Sequence, residues 1–470
     1  MGVYPAPAGE AHGEAHLGHT WTMPLPRLPH GQLIVDEADL APFMADESHV
    51  HGGRPRAVAR PRSPEDLRAL VAWAKAEGAG LVPRGTGTGK AGGCLARPQD
   101  VVVDLGAWPG AIEVNPRDLC LRAPASALLK EVKAAAEAAG FFYPPDPNSW
   151  DQCAFGGTLA TNAGGPNACK YGMTRHWVLA VEALLADGEV HTFGIASVKA
   201  NAGPCLSQLL VGSEGIFGMI LGATVRLAPK PTDRLTLLLP VATFERLLEL
   251  PGRLCAAGYL PCAFEFWDPA VLSELRAHGP EAARRMPGEA LALLEFDDRG
   301  CTSEAFLEGL LEVLGDAAAE LQAATDHRQR EALWAIRRTT SVFLKERYPR
   351  KVSEDVVVPR SRLPEFFEGL KRLEIPCVTY GHLGDGNLHV NLLSAGELEP
   401  ATLDAKLMAL FRLCVDLGGT LSGEHGVGLA KREALIALTP AADLAQFRAL
   451  KAALDPQNIF NPGKVLGVGP

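Results

Sequence analysis

Long apolar runs, paired cysteines and surplus positive charge are all missing from this 470-residue chain. No uninterrupted apolar stretch reaches the ~18 residues that a membrane helix requires. The N-terminus also lacks the basic-then-apolar order of a secretory leader. The chain is therefore expected in the cytoplasm, at most peripheral to the inner face of a membrane. The ten cysteines, Cys94 to Cys414, include no C-x-x-C pair. That argues against an iron–sulfur cluster or a cysteine-bound zinc ion, and for free thiols in a reducing compartment. Lys and Arg number 45 against 55 Asp and Glu, a net charge of −10, so no nucleic-acid surface is expected. Aromatic residues are few, at 6%, but with 47% hydrophobic and 21% charged residues the composition is globular.

The length is well beyond the ~150 residues of an ordinary domain, so two domains, free to interleave, are expected. Residues 1–54 read as tail and connector. His12, His16 and His19 there could hold a metal, but the surrounding Gly, Pro and Ala favour a flexible tail. Ser63 before Pro64-Glu65-Asp66 is a helix N-cap signal, with apolar positions at helical spacing through Ala76. Beyond it, β-branched runs at Val101–Leu105 and Val178–Leu185 alternate with a helical stretch at Ala125–Ala139, and Asp187-Gly188 suits a hairpin turn. Pro229-Lys230-Pro231 breaks this pattern, and a region with strands at Leu235–Pro240 and Leu291–Phe296 follows.

Between Pro83 and Gly93 stand five glycines, Gly85, Gly87, Gly89, Gly92 and Gly93, whose backbone N–H groups can converge on an anion unhindered by side chains. Gly87, Gly89 and Gly92 formally satisfy G-x-G-x-x-G, and Gly89-Lys90 imitates the end of a P-loop. Neither holds. Ala91 stands where a P-loop needs Ser or Thr, and Gly92-Gly93 with Pro98 forbids the helix that a dinucleotide fingerprint opens. A second stretch, Gly156 to Gly165, places four glycines and the polar Thr158, Thr161 and Asn162 in ten positions. Pro144-Pro145-Asp146-Pro147 precedes it and Lys170-Tyr171-Gly172 follows. Gly212-Ser213-Glu214-Gly215 adds a third turn before the β-like Met219–Leu227.

In this combination and order, from about Pro55 to Lys464, the motifs resemble those of the flavoprotein dehydrogenases that include D-lactate dehydrogenase and the flavin subunit of glycolate oxidase, within the vanillyl-alcohol oxidase superfamily. The resemblance implies an α+β fold: a two-part FAD-binding domain of the vanillyl-alcohol oxidase type with an inserted α+β cap domain. Residues 55–230 would bind FAD, 231–425 would form the cap, and 426–470 would return to the FAD domain. It also implies that Arg84, Gly85, Thr86, Gly87, Thr88 and Gly89 hold the pyrophosphate. Gly156, Gly157, Thr158, Thr161, Asn162, Gly164, Gly165 and Gly215 would line the isoalloxazine and ribityl chain. Pro145, Asp146, Tyr171, Gly172, Glu214, Ile220 and, in the closing Asn458–Lys464 motif, Asn461 would complete the site. No histidine lies between His51 and His176, so FAD held without a covalent link is expected. Lys90-Ala91 and Arg122-Ala123-Pro124-Ala125 depart from the family pattern.

Further along, the strand-like Val378–His382 and Leu388–Leu393 flank Gly384-Asp385-Gly386-Asn387. With Asp385 and Gly386 as the central pair, His382 would stand directly opposite His389, ~5 Å apart at Cβ, and both could reach one metal ion. Asn391 shares their side. Two histidines hydrogen-bonded across a hairpin are the plainer alternative, but a third donor, Glu424, stands in the glycine-rich Gly418–Gly428. His, His and Glu with an open position suit a substrate-polarising divalent metal, expected as zinc. The resembled enzymes carry such a site, at motifs that fall on His382, His389 and Glu424. His425 suits a general base, or else a partner of Glu424. Arg337 and Ser341 share a helix face, and the family pattern makes Arg337 the bidentate anchor of a carboxylate, with Lys351 as secondary charge.

The activity implied is oxidation of a D-2-hydroxy acid, such as D-lactate or glycolate, to the 2-oxo acid by metal-assisted hydride transfer to flavin N5. His425, Arg337, Lys351 and Asn391 are its candidate catalytic residues. A quinone, a cytochrome or an iron–sulfur subunit would take the electrons, oxygen being a further acceptor, and a homodimer is compatible with the reading. Two alternatives stand beside it. A transferase of the same superfamily exchanges an acyl for an alkyl group on a dihydroxyacetone phosphate backbone, but its run of adjacent histidines is missing here. A non-catalytic FAD-binding subunit of a larger oxidase would have no use for the histidine hairpin or for Glu424-His425.

Overall fold

The cap signal at Ser63 is realised at both ends of its box: the Ser63 hydroxyl accepts from the Asp66 N–H, and the Asp66 carboxylate accepts from the Ser63 N–H. The helix it starts, Pro64–Glu77, carries the chain between two parallel strands. These belong to a computed structural model that describes residues 24–467 apart from 49, 280–283, 285 and 325. His12, His16 and His19 lie outside the described residues.

The first sheet runs β1 (Gln32–Ile34), β2 (Ala57–Arg60), β4 (Val101–Asp104), β3 (Leu81–Arg84), with β2, β4 and β3 parallel and β1 antiparallel at the edge. Both faces are covered, so its strands are apolar on both sides: Ala57, Leu81, Val101 and Val103 face one core, Val58, Val82 and Val102 another. Part of the segment read as tail and connector is thus built into a sheet. Three residues are too few for alternation to mark a strand.

The second sheet is antiparallel and ordered β5 (Glu113–Asn115), β6 (Cys120–Pro124), β10 (Met219–Arg226), β8 (Val178–Leu184), β9 (Val190–Gly194), while β7 (Phe141–Phe142) pairs with β11 (Ala228–Pro229). The Asp187-Gly188 turn joins β8 to β9 as expected. The helix expected from Ala125 begins only at Leu129, because the Ala125 N–H is taken by the Leu221 carbonyl. The stretch read as a second glycine turn is half helix, Phe155–Thr161. Phe155 and Leu159, four apart and fully buried, dock it on the sheet.

The third sheet has seven antiparallel strands: β12 (Leu235–Val241), β13 (Ala263–Trp267), β14 (Ala290–Phe296), β15 (Gln322–Ala324), β16 (Val352–Val357), β17 (Cys377–His382) and β18 (Asn387–Leu392). Their order is β15-β12-β14-β13-β17-β18-β16. One face is mainly apolar; Leu237, Phe264, Phe266, Leu294, Val356, Leu388 and Val390 pack there under the helices Phe244–Ala256, Leu363–Arg372 and Pro400–Asp416. The other is apolar only in part. Leu238, Leu291, Leu293 and Trp267 pack under Pro269–His278 and His327–Arg347. Further across, alternation brings Glu265, His382, His389, Asn391 and Asp355 to that second face.

The chain then returns to the first sheet. The Leu81 N–H donates to the Ile459 carbonyl and the Asn461 N–H to the Leu81 carbonyl. Asp455, 1% exposed, holds this return by accepting the N–H groups of Ile459 (3.0 Å) and Phe460 (2.7 Å) and pairing with Lys451. Removing the carboxylate strands two buried donors and one buried charge, at a cost of about 2–5 kcal/mol. Asp455→Ala is therefore predicted to lower unfolding stability by that amount and to speed amide exchange at Ile459 and Phe460. A loss below ~0.5 kcal/mol, the size of an ordinary surface change, would contradict the assignment.

Candidate active site

The hairpin closes with a different register from the one expected. His382 pairs with Asn387 and Tyr380 with His389, so the histidines are diagonal neighbours and not directly opposed. The loop is Leu383–Gly386, four residues and not two. Asp385 caps it by accepting the Asn387 N–H, and Gly386 adopts φ 81, where a side chain would be strained. A slip of two residues keeps every side chain on its face, and the two imidazole rings still lie 5.1 Å apart.

Each histidine turns Nδ1 toward a carboxylate and Nε2 toward Glu424. His382 Nδ1 lies 2.5 Å from Glu265 Oε1, and its Nε2 lies 3.4 Å from Glu424 Oε1. His389 Nδ1 lies 4.0 Å from Asp355 Oδ1, and its Nε2 lies 3.8 Å from Glu424 Oε1. The ligand atoms of His382, His389 and Glu424 fall within 4.8 Å of one another. Burial, reinforced by the charge of His382, pushes His389 down to about 3. Burial opposes the charged form of His382 too, but Glu265 and then Glu424 outweigh it and hold its pKa well above the usual value. A cation is what this arrangement demands between Nε2 and Glu424, either a proton or a metal ion that displaces it. Carboxylates behind metal-binding histidines are the usual support of a metal site, and the donor set fits a divalent metal such as zinc.

Glu424 and His425 sit in a turn gripped from two sides. Asp355 Oδ2 accepts the N–H groups of Gly423 (3.0 Å), Glu424 (2.8 Å) and His425 (2.9 Å), and its Oδ1 accepts from Asn387 Nδ2 (2.5 Å). Burial opposes its ionisation, yet His425, Lys431 and His389 hold the carboxyl far below the usual range. From the turn before β10, Glu214 accepts the N–H groups of Val427 (2.7 Å) and Gly428 (2.8 Å). Burial exceeds those bonds and pushes Glu214 up to about 7. Between the two grips Gly426 adopts φ 85, with no room for a Cβ beside the Glu214 carboxylate. Glu265 and Asp355 escaped the sequence reading, although Glu265 is a lone charge in the apolar Ala263–Trp267.

The turn points Glu424 at the histidines and also forms, with His425, part of the wall of a cavity of ≈ 430 Å³. Arg84, Gly85, Thr86, Gly87, Thr88 and Gly89 line it, as do Gly156, Gly157, Thr158, Thr161, Gly164, Glu214, Gly215 and Ile220. Gly89 and Gly157 test the fit to a cofactor. Neither has positive φ, and a Cβ added at either meets no protein atom within 4 Å. The chain's own packing does not require glycine there; the missing side chains leave room for a ligand, as a FAD cradle would. The Arg84 guanidinium, expected on the pyrophosphate, is instead taken by the carbonyls of Pro42 (3.0 Å) and Ala45 (2.9 Å).

The remaining predicted cofactor residues stand behind the walls. Lys133 Nζ donates to the Pro145 carbonyl (2.9 Å), and Asp146 accepts the Asn167 N–H (3.1 Å). Asn162 ends its helix at φ 52 and accepts the Arg175 N–H. Gly165 packs on Asp146, and Gly172 on His176. The Tyr171 hydroxyl donates to Asp297 (2.6 Å), and Asn461 Nδ2 donates to the carbonyls of Gly93 (2.9 Å) and Glu214 (2.6 Å). On the cap side, Arg337 Nε donates to Glu265 Oε2 (2.5 Å) and its guanidinium lies 4.8 Å above the Tyr380 ring. Lys351 Nζ donates to Asn391 Oδ1 (2.6 Å). Burial pushes Lys351 down to about 8, with Lys90 and Lys345 adding to it.

Comparison with known proteins agrees with a FAD-binding chain. Residues 230–465 match the model of the C-terminal domain of FAD-linked oxidases, and 55–194 match a FAD-binding domain. The glycolate oxidase subunit GlcD of Bacillus subtilis (strain 168) is 31% identical over 433 residues, 90% of this chain and 91% of that protein. A D-2-hydroxyglutarate dehydrogenase of Xanthomonas citri pv. viticola is 31% identical over 450 residues, covering 93% and 95%. Among solved structures, alkyldihydroxyacetonephosphate synthase superposes with a TM-score of 0.69 at 16% identity, covering 93% of this chain and 84% of that one, which is a likeness of fold.

Gly157 allows a test in which two effects oppose. Gly157→Ala is predicted to stabilise the flavin-free protein by up to ~1 kcal/mol, because Ala favours the helix Phe155–Thr161, and to weaken FAD binding at least tenfold by filling the cradle. Thermal unfolding and flavin fluorescence titration measure the two. Unchanged flavin affinity would show that the cavity does not hold FAD at Gly157.

Proposed function

The chain belongs to the FAD-linked oxidase family, and we propose that it oxidises a D-2-hydroxy acid, such as D-lactate, glycolate or D-2-hydroxyglutarate, to the 2-oxo acid. The observation that carries this reading is the Glu424-His425 pair, two adjacent residues that join the His382–His389 cluster to the glycine-lined cavity. His382, His389 and Glu424 would hold a divalent metal, and the two glycine stretches would hold FAD without a covalent link. FAD, when bound, accepts the α-hydrogen with two electrons, while a metal such as zinc polarises the substrate hydroxyl.

The chain's own residues would do the rest. The terminal amino groups of Arg337 and the ammonium of Lys351 bind the substrate carboxylate, the arginine as a fork and the lysine as a point charge. Asn391 holds Lys351 in place. Burial lowers the pKa of His425 more than the nearby carboxylates raise it, so the ring is neutral at neutral pH and able to take the hydroxyl proton. Its Nδ1 is 3.8 Å from Asp355, which leaves Nε2 as the nitrogen for the substrate. A quinone, a cytochrome or an iron–sulfur partner would receive the electrons, in keeping with a relative that is named as a subunit.

The direct test is anaerobic addition of D-lactate, L-lactate, glycolate and D-2-hydroxyglutarate to metal-replete, FAD-loaded protein, followed by flavin absorbance. At least one D-2-hydroxy acid or glycolate should bleach the flavin; if none does, the assignment is wrong. His425→Asn should slow bleaching by ~10²–10⁴ at unchanged flavin and metal content, and an unchanged rate removes His425 as base. Lys351, charged below about 8 and neutral above it, should hold the carboxylate less well as pH rises. A decline in kcat/KM across that range is expected, and Lys351→Met should lose it. A decline that persists in Lys351→Met assigns it to another group.

A further inference from the structure

Glu265 is the only charged residue in β13, where Phe264 and Phe266 on either side of it enter the apolar core on the sheet's other face. It is 0% exposed. Each of its oxygens has a different partner: Oε1 faces His382 Nδ1 at 2.5 Å, and Oε2 accepts from Arg337 Nε at 2.5 Å. The first contact is built into the sheet, because Glu265 and His382 are directly paired across β13 and β17. The second reaches a helix 72 residues away in sequence. Among the described residues, Arg337 makes no other hydrogen bond, so its terminal amino groups remain available as donors.

A buried ion pair is poor value for stability alone, since an apolar replacement of similar volume is often neutral or better. Two carboxylates, one for each partner, would also satisfy the histidine and the arginine independently. One shared carboxylate does something else. It keeps the Nδ1 proton of His382 in place, which reserves Nε2 for a metal, and it fixes the guanidinium with only its terminal amino groups free. We infer that Glu265 is a positioning residue that ties the metal ligand His382 to the substrate anchor Arg337. This rests on the function proposed above. With a metal held at Nε2, the Nδ1–H of His382 would be a stronger donor and would take a larger share of the Glu265 charge, which would leave more of the positive charge of Arg337 for a substrate carboxylate. By linkage, a bound carboxylate then strengthens metal binding by the same factor.

The test uses FAD-loaded, full-length wild type, Glu265→Gln and Glu265→Asp. Calorimetric titration with zinc(II), without substrate, should show affinity reduced ~10–100-fold in Glu265→Gln, at unchanged flavin content. At saturating zinc the same variant should show a raised KM for the hydroxy acid. Glu265→Asp keeps the charge but is too short to reach both partners, so it should lose zinc affinity, KM or both; it decides the matter if Glu265→Gln fails to fold. A merely structural ion pair would lower the unfolding temperature and leave zinc affinity and KM as in wild type. Wild-type values of both in the folded variants overturn the inference. The zinc arm needs no substrate, so an incorrect substrate assignment cannot produce that result, and a wild type that takes no zinc overturns both the metal reading and this one.

Discussion

One oxygen of the Asp355 carboxylate accepts three consecutive backbone N–H groups, from Gly423, Glu424 and His425. Such a cluster of donors forces the backbone to curl around a point, and the curl sets Glu424 against the histidines, with His425 beside it 5.8 Å from the His389 ring and both residues in the cavity wall. Asp355 can act as that point because β16 pairs it with His389 on β18, so the strand that anchors the turn also flanks a ligand candidate. Glu214, in the turn before β10, makes the complementary grip on Val427 and Gly428. A buried carboxylate from each side thus locates the one place where the cavity and the histidine cluster meet.

Around that turn, the third sheet supplies the polar groups. Its strands obey one alternation, and the face that packs Leu238, Leu291 and Trp267 at one end presents Glu265, His382, His389 and Asp355 at the other. The regular register of neighbouring strands places these residues side by side. The cost is four ionisable groups in a buried setting, offset by pairing each with at least one other. The result is a rigid polar patch on a regular element, which holds ligands more exactly than a loop could.

Much of this was legible in the sequence, for physical reasons that differ from residue to residue. Ser63 with Asp66 marks a helix start because a cap is local. The glycines at 85–93 and 156–165 mark a cradle because they bare backbone N–H groups to an anion, and Gly89 and Gly157 leave space that the chain does not fill, while Gly87, Gly156 and Gly165 are needed by its own packing. His382, His389 and Glu424 were recognisable by chemistry, and they converge although the expected hairpin register was off by two residues. That error was harmless only because the face repeats every two. Asp355, Glu265 and the fate of the Arg84 guanidinium were not legible. Their partners lie 70, 117 and 42 residues away, and nothing local says which buried carboxylate will meet which donor. The helix at Phe155–Thr161 was hidden by Gly156 and Gly157, whose poor helix propensity is overridden by the docking of Phe155 and Leu159.

The central claim is spatial: the turn at Glu424-His425 brings a metal site and a flavin site to one wall. Anomalous diffraction at the zinc edge, from crystals of the protein loaded with FAD and zinc, tests it most directly. The account predicts one zinc peak within bonding distance of His382 Nε2, His389 Nε2 and Glu424, with the isoalloxazine in the glycine-lined cavity on the His425 side. A zinc peak elsewhere, or a flavin ring that lies away from His425, would contradict it.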